Sequence, residues 1–147
     1  MSSIVYADSF AEGISVLKKG YTNLALSCFE AAYRQKQSPE IASHLGYCRA
    51  YIWCKYQEGI DLCQEAIYKE PENPVHYLNL GKIFLARQQK KLAIETFRKA
   101  LDLRPSPEIT AELDRLGTRK PPVFSSLSRC HPLNKYTGLL LSRIGLR

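Results

Sequence analysis

The chain has 147 residues, 45% of them apolar and 24% charged, with a formal net charge of +7. That length suits about one domain, and that balance excludes a chain disordered throughout, a collagen-like fibre and a multi-span membrane protein. The charge is unevenly placed: residues 1–114 carry 14 basic and 14 acidic side chains, whereas residues 115–147 carry seven basic side chains and no acid.

The N-terminal stretch Met1-Ser-Ser-Ile-Val-Tyr-Ala-Asp8 lacks a basic region and a long apolar run, so no secretory signal is expected. No stretch approaches the ~18 uninterrupted apolar residues of a spanning helix. Five cysteines (Cys28, Cys48, Cys54, Cys63, Cys130) form an odd set with no Cys-x-x-Cys pair. Free thiols and a cytoplasmic setting are the expectation.

Three similar units follow in chain order, over about residues 6–38, 39–73 and 74–107. Their second halves, Tyr21–Ala32, Lys55–Ala66 and Gln89–Ala100, align at a period of 34 residues. Ala25, Gly59 and Ala93 then correspond, as do Phe29, Cys63 and Phe97, and Ala32, Ala66 and Ala100. Pro71 and Pro105 close the second and third units, and Gln37 stands at that place in the first. Each unit predicts two amphipathic helices. In the third, Tyr77, Leu80, Gly81 and Phe84 make one apolar face at i, i+3, i+4, i+7, and Leu92, Ala93, Ile94, Phe97, Ala100 and Leu101 make the next.

Helix starts are marked by Ser38-Pro39-Glu40, Asn73-Pro74-Val75 and Ser106-Pro107-Glu108. In each, a side-chain oxygen can cap free amides while proline takes the first helical position, where its missing N–H is not needed. Gly13, Gly46 and Gly81, facing Ala25, Gly59 and Ala93, predict helix pairs in close approach. Gly46 stands one residue early for the period, so an extra residue is expected in the Tyr51-Ile-Trp-Cys-Lys55 stretch. A seventh helix over residues 107–117, without a partner helix, reads as a cap.

These features resemble the tetratricopeptide repeat. Tyr77…Leu80-Gly81…Phe84…Ala93…Phe97…Ala100…Pro105 meets its signature most fully, while the first copy has Glu12 and Val16, and the second Gly59 and Cys63, at departures from it. The resemblance implies an all-α, right-handed α-solenoid of three helix-turn-helix repeats with a C-terminal capping helix, array 1–117. It implies a concave groove that holds a peptide segment or helix of another protein; it does not imply catalysis, and no cofactor is expected. The groove-facing positions it implies are Phe10, Ile14, Leu17 and Lys18, then Ser43, Tyr47, Ala50 and Tyr51, then Leu78, Lys82 and Leu85. Chaperone-binding members clamp a terminal carboxylate at positions that here hold Phe10, Ile14, His44, Val75 and Asn79, and only Asn79 is suitably polar.

No Gly-rich phosphate loop, Gly-x-Ser-x-Gly or His-Glu-x-x-His occurs, so an enzyme is not expected. His44 and Cys48 share a helix face at i, i+4, but two further ligands are lacking, so no metal site is expected either.

Residues 118–147 form a basic tail. Gly117-Thr-Arg-Lys-Pro-Pro122 breaks the helix pattern, and Leu133–Arg147 predicts a short amphipathic helix. Its cations are Arg119, Lys120, Arg129, Lys135, Arg143 and Arg147. Three roles are open to it: packing back on the array, lying on an anionic membrane surface, or meeting nucleic-acid phosphates. The last is disfavoured because clustered aromatics for base stacking are missing. The chain is expected to be a monomer or a homodimer, the unpaired last helix being free to stack on a second copy.

Overall fold

A computed structural model of the chain describes residues 2–117, with side chains from residue 8 onward. The basic tail, its six cations, Cys130, His131 and the helix expected over 133–147 lie outside the described residues. Those described fold as seven α-helices: α1 Ser2–Lys18, α2 Thr22–Gln35, α3 Pro39–Trp53, α4 Tyr56–Lys69, α5 Pro74–Ala86, α6 Lys90–Leu103 and α7 Pro107–Arg115. The chain divides into two units after Glu112, the helix array forming the first, and the second is described only from Leu113 to Gly117.

The array is an all-α, right-handed solenoid of three helix hairpins with a capping helix. α1 pairs with α2, α3 with α4 and α5 with α6, and the hairpins stack through α2 on α3, α3 on α5 and α4 on α5. α1 begins at Ser2, four residues before the expected start of the first repeat, and α7 ends at Arg115, two before the expected end of the cap.

The caps read from sequence are made. Ser38 Oγ accepts from Ile41 N–H at 3.3 Å, Asn73 Oδ1 from Val75 N–H at 3.1 Å and Ser106 Oγ from Ile109 N–H at 3.5 Å. Each fills one orphan donor of a helix start and directs the chain into the next hairpin. The hairpin turns carry the period as well: Gly20, Cys54 and Gln88, 34 residues apart, all have left-handed backbone with φ of 87°, 55° and 63°. At Gly20 and Gln88 the turn closes with a paired bond set, Tyr21 N–H to Val16 O with Gly20 N–H to Leu17 O, and Gln89 N–H to Phe84 O with Gln88 N–H to Leu85 O. The extra residue expected in the second repeat is taken up by α3, where Gly46 lies eight residues before the left-handed Cys54, against seven from Gly81 to Gln88.

Two kinds of seam join the hairpins. In the first and third, a glycine lies under a fully buried phenylalanine ring. A Cβ on Gly13 would sit 2.6 Å from Phe29 Cε1, and one on Gly81 would overlap the Phe97 ring. Burying each ring contributes about 2 kcal/mol. In the second hairpin Cys63 replaces the phenylalanine and the backbones themselves meet. A Cβ on Gly59 would lie 2.5 Å from the Gly46 carbonyl oxygen, and one on Gly46 would lie 2.9 Å from that of Gly59. Only two glycines permit this crossing.

Candidate functional site

The first helices of the hairpins, α1, α3 and α5, together with the start of α7 line a pocket of about 250 Å³. Ile14, Leu17 and Lys18 come from α1, Glu40 and His44 from α3, Val75, Leu78, Asn79 and Lys82 from α5, and Glu108 from α7. The walls are aliphatic, the floor is polar and uncharged, and the charges stand at the edge. Lys82 Nζ bonds Glu108 Oε1 at 2.9 Å and lies 5.7 Å from the Tyr47 ring centroid. Tyr47 is half-buried, and burial first, then neighbouring ionisable groups, pushes its phenol up to about 12.

The floor residue His44 is only 6% exposed. Its ring lies between Phe10 (5.6 Å, edge-on) and Phe29 (5.1 Å), and Nδ1 faces the Glu40 carbonyl oxygen at 2.9 Å. That carbonyl can only accept, so Nδ1 carries the proton and Nε2 presents a lone pair. Burial is the main cause that brings His44 down to about 4, opposed by the Glu40 bond, so the ring is neutral at ordinary pH. Cys48, one turn on, is fully buried in the Phe29 cluster, and burial raises its thiol to about 12. Cys48 therefore serves packing, whereas His44 packs between the two rings and also lines the pocket.

Behind the floor is a polar chain that links two repeats. Ser43 Oγ donates to the Glu40 carbonyl at 3.1 Å and lies 3.0 Å from His76 Nδ1 and 3.2 Å from Asn79 Nδ2, which donates to it. His76 Nε2 in turn lies 3.0 Å from Glu70 Oε2. The Glu70 carboxyl is held below its usual value, first by the Asn73 amide and then by His76, against the opposing effect of partial burial. The order serine, histidine, carboxylate is that of a hydrolase relay, yet Ser43 and His76 have no exposed surface and nothing can reach the hydroxyl. The chain of bonds fixes the third repeat on the second.

The structure sorts the groove residues expected from sequence into three groups. Ile14, Leu17, Lys18, Leu78 and Lys82 come together in the pocket, and Tyr47 adjoins it through Lys82. Ser43 and Ala50 do not face the groove: both are fully buried. They lie three residues before and four after Gly46, on the stripe that α3 presses against α4, and Ala50 Cβ is among the atoms nearest Gly59. Phe10, at the same place relative to Gly13, stacks on Phe29 at 5.8 Å, and Leu85 is half-buried away from the pocket. Tyr51, 58% exposed, stacks on Tyr47 at 5.9 Å and lines a separate depression of about 580 Å³ with Tyr21, Leu24 and Ile52.

Four of the five clamp positions, Ile14, His44, Val75 and Asn79, do converge in the pocket. Glu40 and Glu108 also line it and were not singled out from sequence. Their signal was there in the helical spacing 40, 44, 47 and 75, 79, 82, with Glu108 33 residues after Val75. Lysines enter the wall from neighbouring positions rather than from the clamp positions themselves, and one of them, Lys82, is already bonded to a carboxylate.

A hairpin array with a pocketed concave face is the architecture of a helical-repeat scaffold. The chain carries a tetratricopeptide repeat in an array with the fold of tetratricopeptide repeat domains. Residues 77–107 match the family model described as a tetratricopeptide repeat. The array resembles the Arabidopsis OM64 TPR domain, at TM-score 0.61 and 19% identity over 80% of this chain and 98% of that one. It likewise resembles the first TPR of Spaghetti (RPAP3) bound to the HSP90 peptide SRMEEVD, at TM-score 0.60 and 18% identity over 80% and 96%. In sequence, 89 residues are 36% identical to the BBSome complex member BBS4 of Bos taurus, a match covering 60% of this chain and 16% of that relative.

Proposed function

We propose that the chain is a non-catalytic adaptor whose concave face holds a segment of another protein. One observation carries this reading: Ile14, Leu17 and Val75, half-buried and from two different repeats, meet beside the buried Leu78 around an open pocket. Apolar side chains left around a concavity are the usual anchor sites of interfaces. The Spaghetti (RPAP3) structure, with the same fold, holds a peptide, and BBS4 is a member of a complex. The terminal acidic tail of such a peptide is a poor match here, because the clamp positions carry Ile14, His44 and Val75. A cytoplasmic setting, in keeping with the free thiols of Cys28, Cys48, Cys54 and Cys63, belongs to the same proposal.

A second reading rests on the charge surplus confined to residues 115–147, which suits anionic lipid or nucleic acid. A peptide-display selection against the full chain separates the two. Groove binding predicts enriched sequences that Ile14→Asp abolishes and that persist as salt is raised. Enrichment indifferent to Ile14→Asp would end the adaptor reading. Binding of anionic vesicles or oligonucleotides that vanishes with salt would support the tail.

A further inference from the structure

Resting on the groove reading, the geometry points to the chemistry of the side chain that the pocket takes. We infer that it is the anchor subsite for an aromatic side chain bearing a single N–H donor, a tryptophan of the partner segment.

Three observations converge. The cavity, about 250 Å³, falls below the range of about 300–1,000 Å³ that holds drug-sized ligands, and suits one large side chain. Its walls are aliphatic. Its floor offers two acceptors, His44 Nε2 and Asn79 Oδ1, on residues only 6% and 3% exposed. Neither atom has a hydrogen-bond partner among the described residues, because His44 bonds through Nδ1 and Asn79 through Nδ2. Neither is among the fully enclosed orphaned atoms of the described residues, Arg49 Nε and Gln89 Oε1, so both keep some exposed surface on residues that line the pocket. Buried acceptors without partners call for a donor from the occupant. A terminal carboxylate, which only accepts, would face two lone pairs. An aliphatic or phenylalanine side chain would leave both acceptors unsatisfied. Indole supplies one N–H to one of the two acceptors and brings no acceptor of its own against the other, which keeps access to water at the open side. Charge agrees: Lys18 and Lys82 are balanced by Glu40 and Glu108, so the occupant is neutral.

The test is an NMR titration of isotope-labelled full-length chain with N-acetyl-tryptophanamide, its indole-N-methyl analogue, N-acetyl-phenylalaninamide and N-acetyltryptophan free acid. Tryptophanamide is expected to shift Ile14, His44, Leu78 and Asn79, and to bind about tenfold more tightly than the N-methyl and phenylalanine probes. His44→Phe, which keeps a ring between Phe10 and Phe29, should remove that preference while leaving phenylalaninamide binding in place. Equal binding of all the amides would overturn the inference and leave the groove reading standing. Tighter binding of the free acid would overturn it in favour of a carboxylate ligand. The same shifts on concentrating the chain alone would overturn it in favour of a second copy. Absence of any probe from the groove, with displayed peptides bound elsewhere, would end both readings.

Discussion

The first and third hairpins are held apart by a phenylalanine, and the second closes until its backbones touch. Phe29 and Phe97 fill the space over Gly13 and Gly81, whereas Gly46 and Gly59 leave no space and Cys63 suffices. The turns divide the same way. Gly20 and Gln88 close with the paired hydrogen bonds of a helix-terminating motif, while the second turn is closed among the described residues by Tyr56 N–H to Cys54 O at 2.9 Å. Arg49 adds an ion pair on either side, to Glu30 at 3.3 Å and Glu58 at 2.5 Å, tying α3 to α2 and α4. One repeat fold thus tolerates two seams, because a helix pair is satisfied equally by an interposed ring and by direct backbone contact, provided that no void remains.

Substitution of the seams should separate them. Phe97→Ala opens a cavity that a stacked array cannot collapse and should cost about 4 kcal/mol, whereas Cys63→Ala should cost about 1 kcal/mol. Denaturant midpoints measure both, and equal losses would erase the distinction. Gly59→Ala forces a methyl against a carbonyl and should cost about 3 kcal/mol despite its gain in helix propensity. Gly13→Ala meets only the edge of the Phe29 ring and should cost about 1 kcal/mol, read from the same denaturation curves.

Acid should act at the α1–α3 contact. His44 is neutral when folded down to about pH 4 and titrates near its ordinary value when unfolded, so between those values the unfolded chain binds the extra proton. Stability should therefore fall as pH drops from about 6.5 to 4, by an amount on the order of 3 kcal/mol, and level off below. His44→Phe should flatten that limb of the profile; a slope unchanged in the variant would assign it to other groups. Glu70, with its carboxyl held low, contributes stability that is present above the ordinary carboxylate range and lost in stronger acid. The smallest effect is that of Arg49→Met, about 0.5 kcal/mol by thermal unfolding, since its ion pairs are partly exposed.

Much of the fold was legible residue by residue. Ser38, Asn73 and Ser106 announced three helix starts, and the extra residue of the second repeat was visible in the early Gly46. The groove was legible only in part. Ile14, Lys18 and Lys82 sit where their helical phase placed them, but Ser43 and Ala50 share the stripe of Gly46 and turned inward with it. Equating α3 with its neighbours position by position missed this, because the closer seam swallows residues that flank the glycine.

By itself the sequence determined the hairpins, their number among the described residues and their period, since caps, proline placement and helical periodicity act over a few residues. Tertiary structure alone decided which faces became groove. The link from Glu70 through His76 to Ser43 spans two repeats, and the acceptors of His44 and Asn79 share a pocket only when α3 and α5 are stacked. No local pattern encodes that meeting, because it depends on how α5 stacks on α3, just as the burial of Ser43 and Ala50 depends on how closely α3 and α4 approach at Gly46 and Gly59.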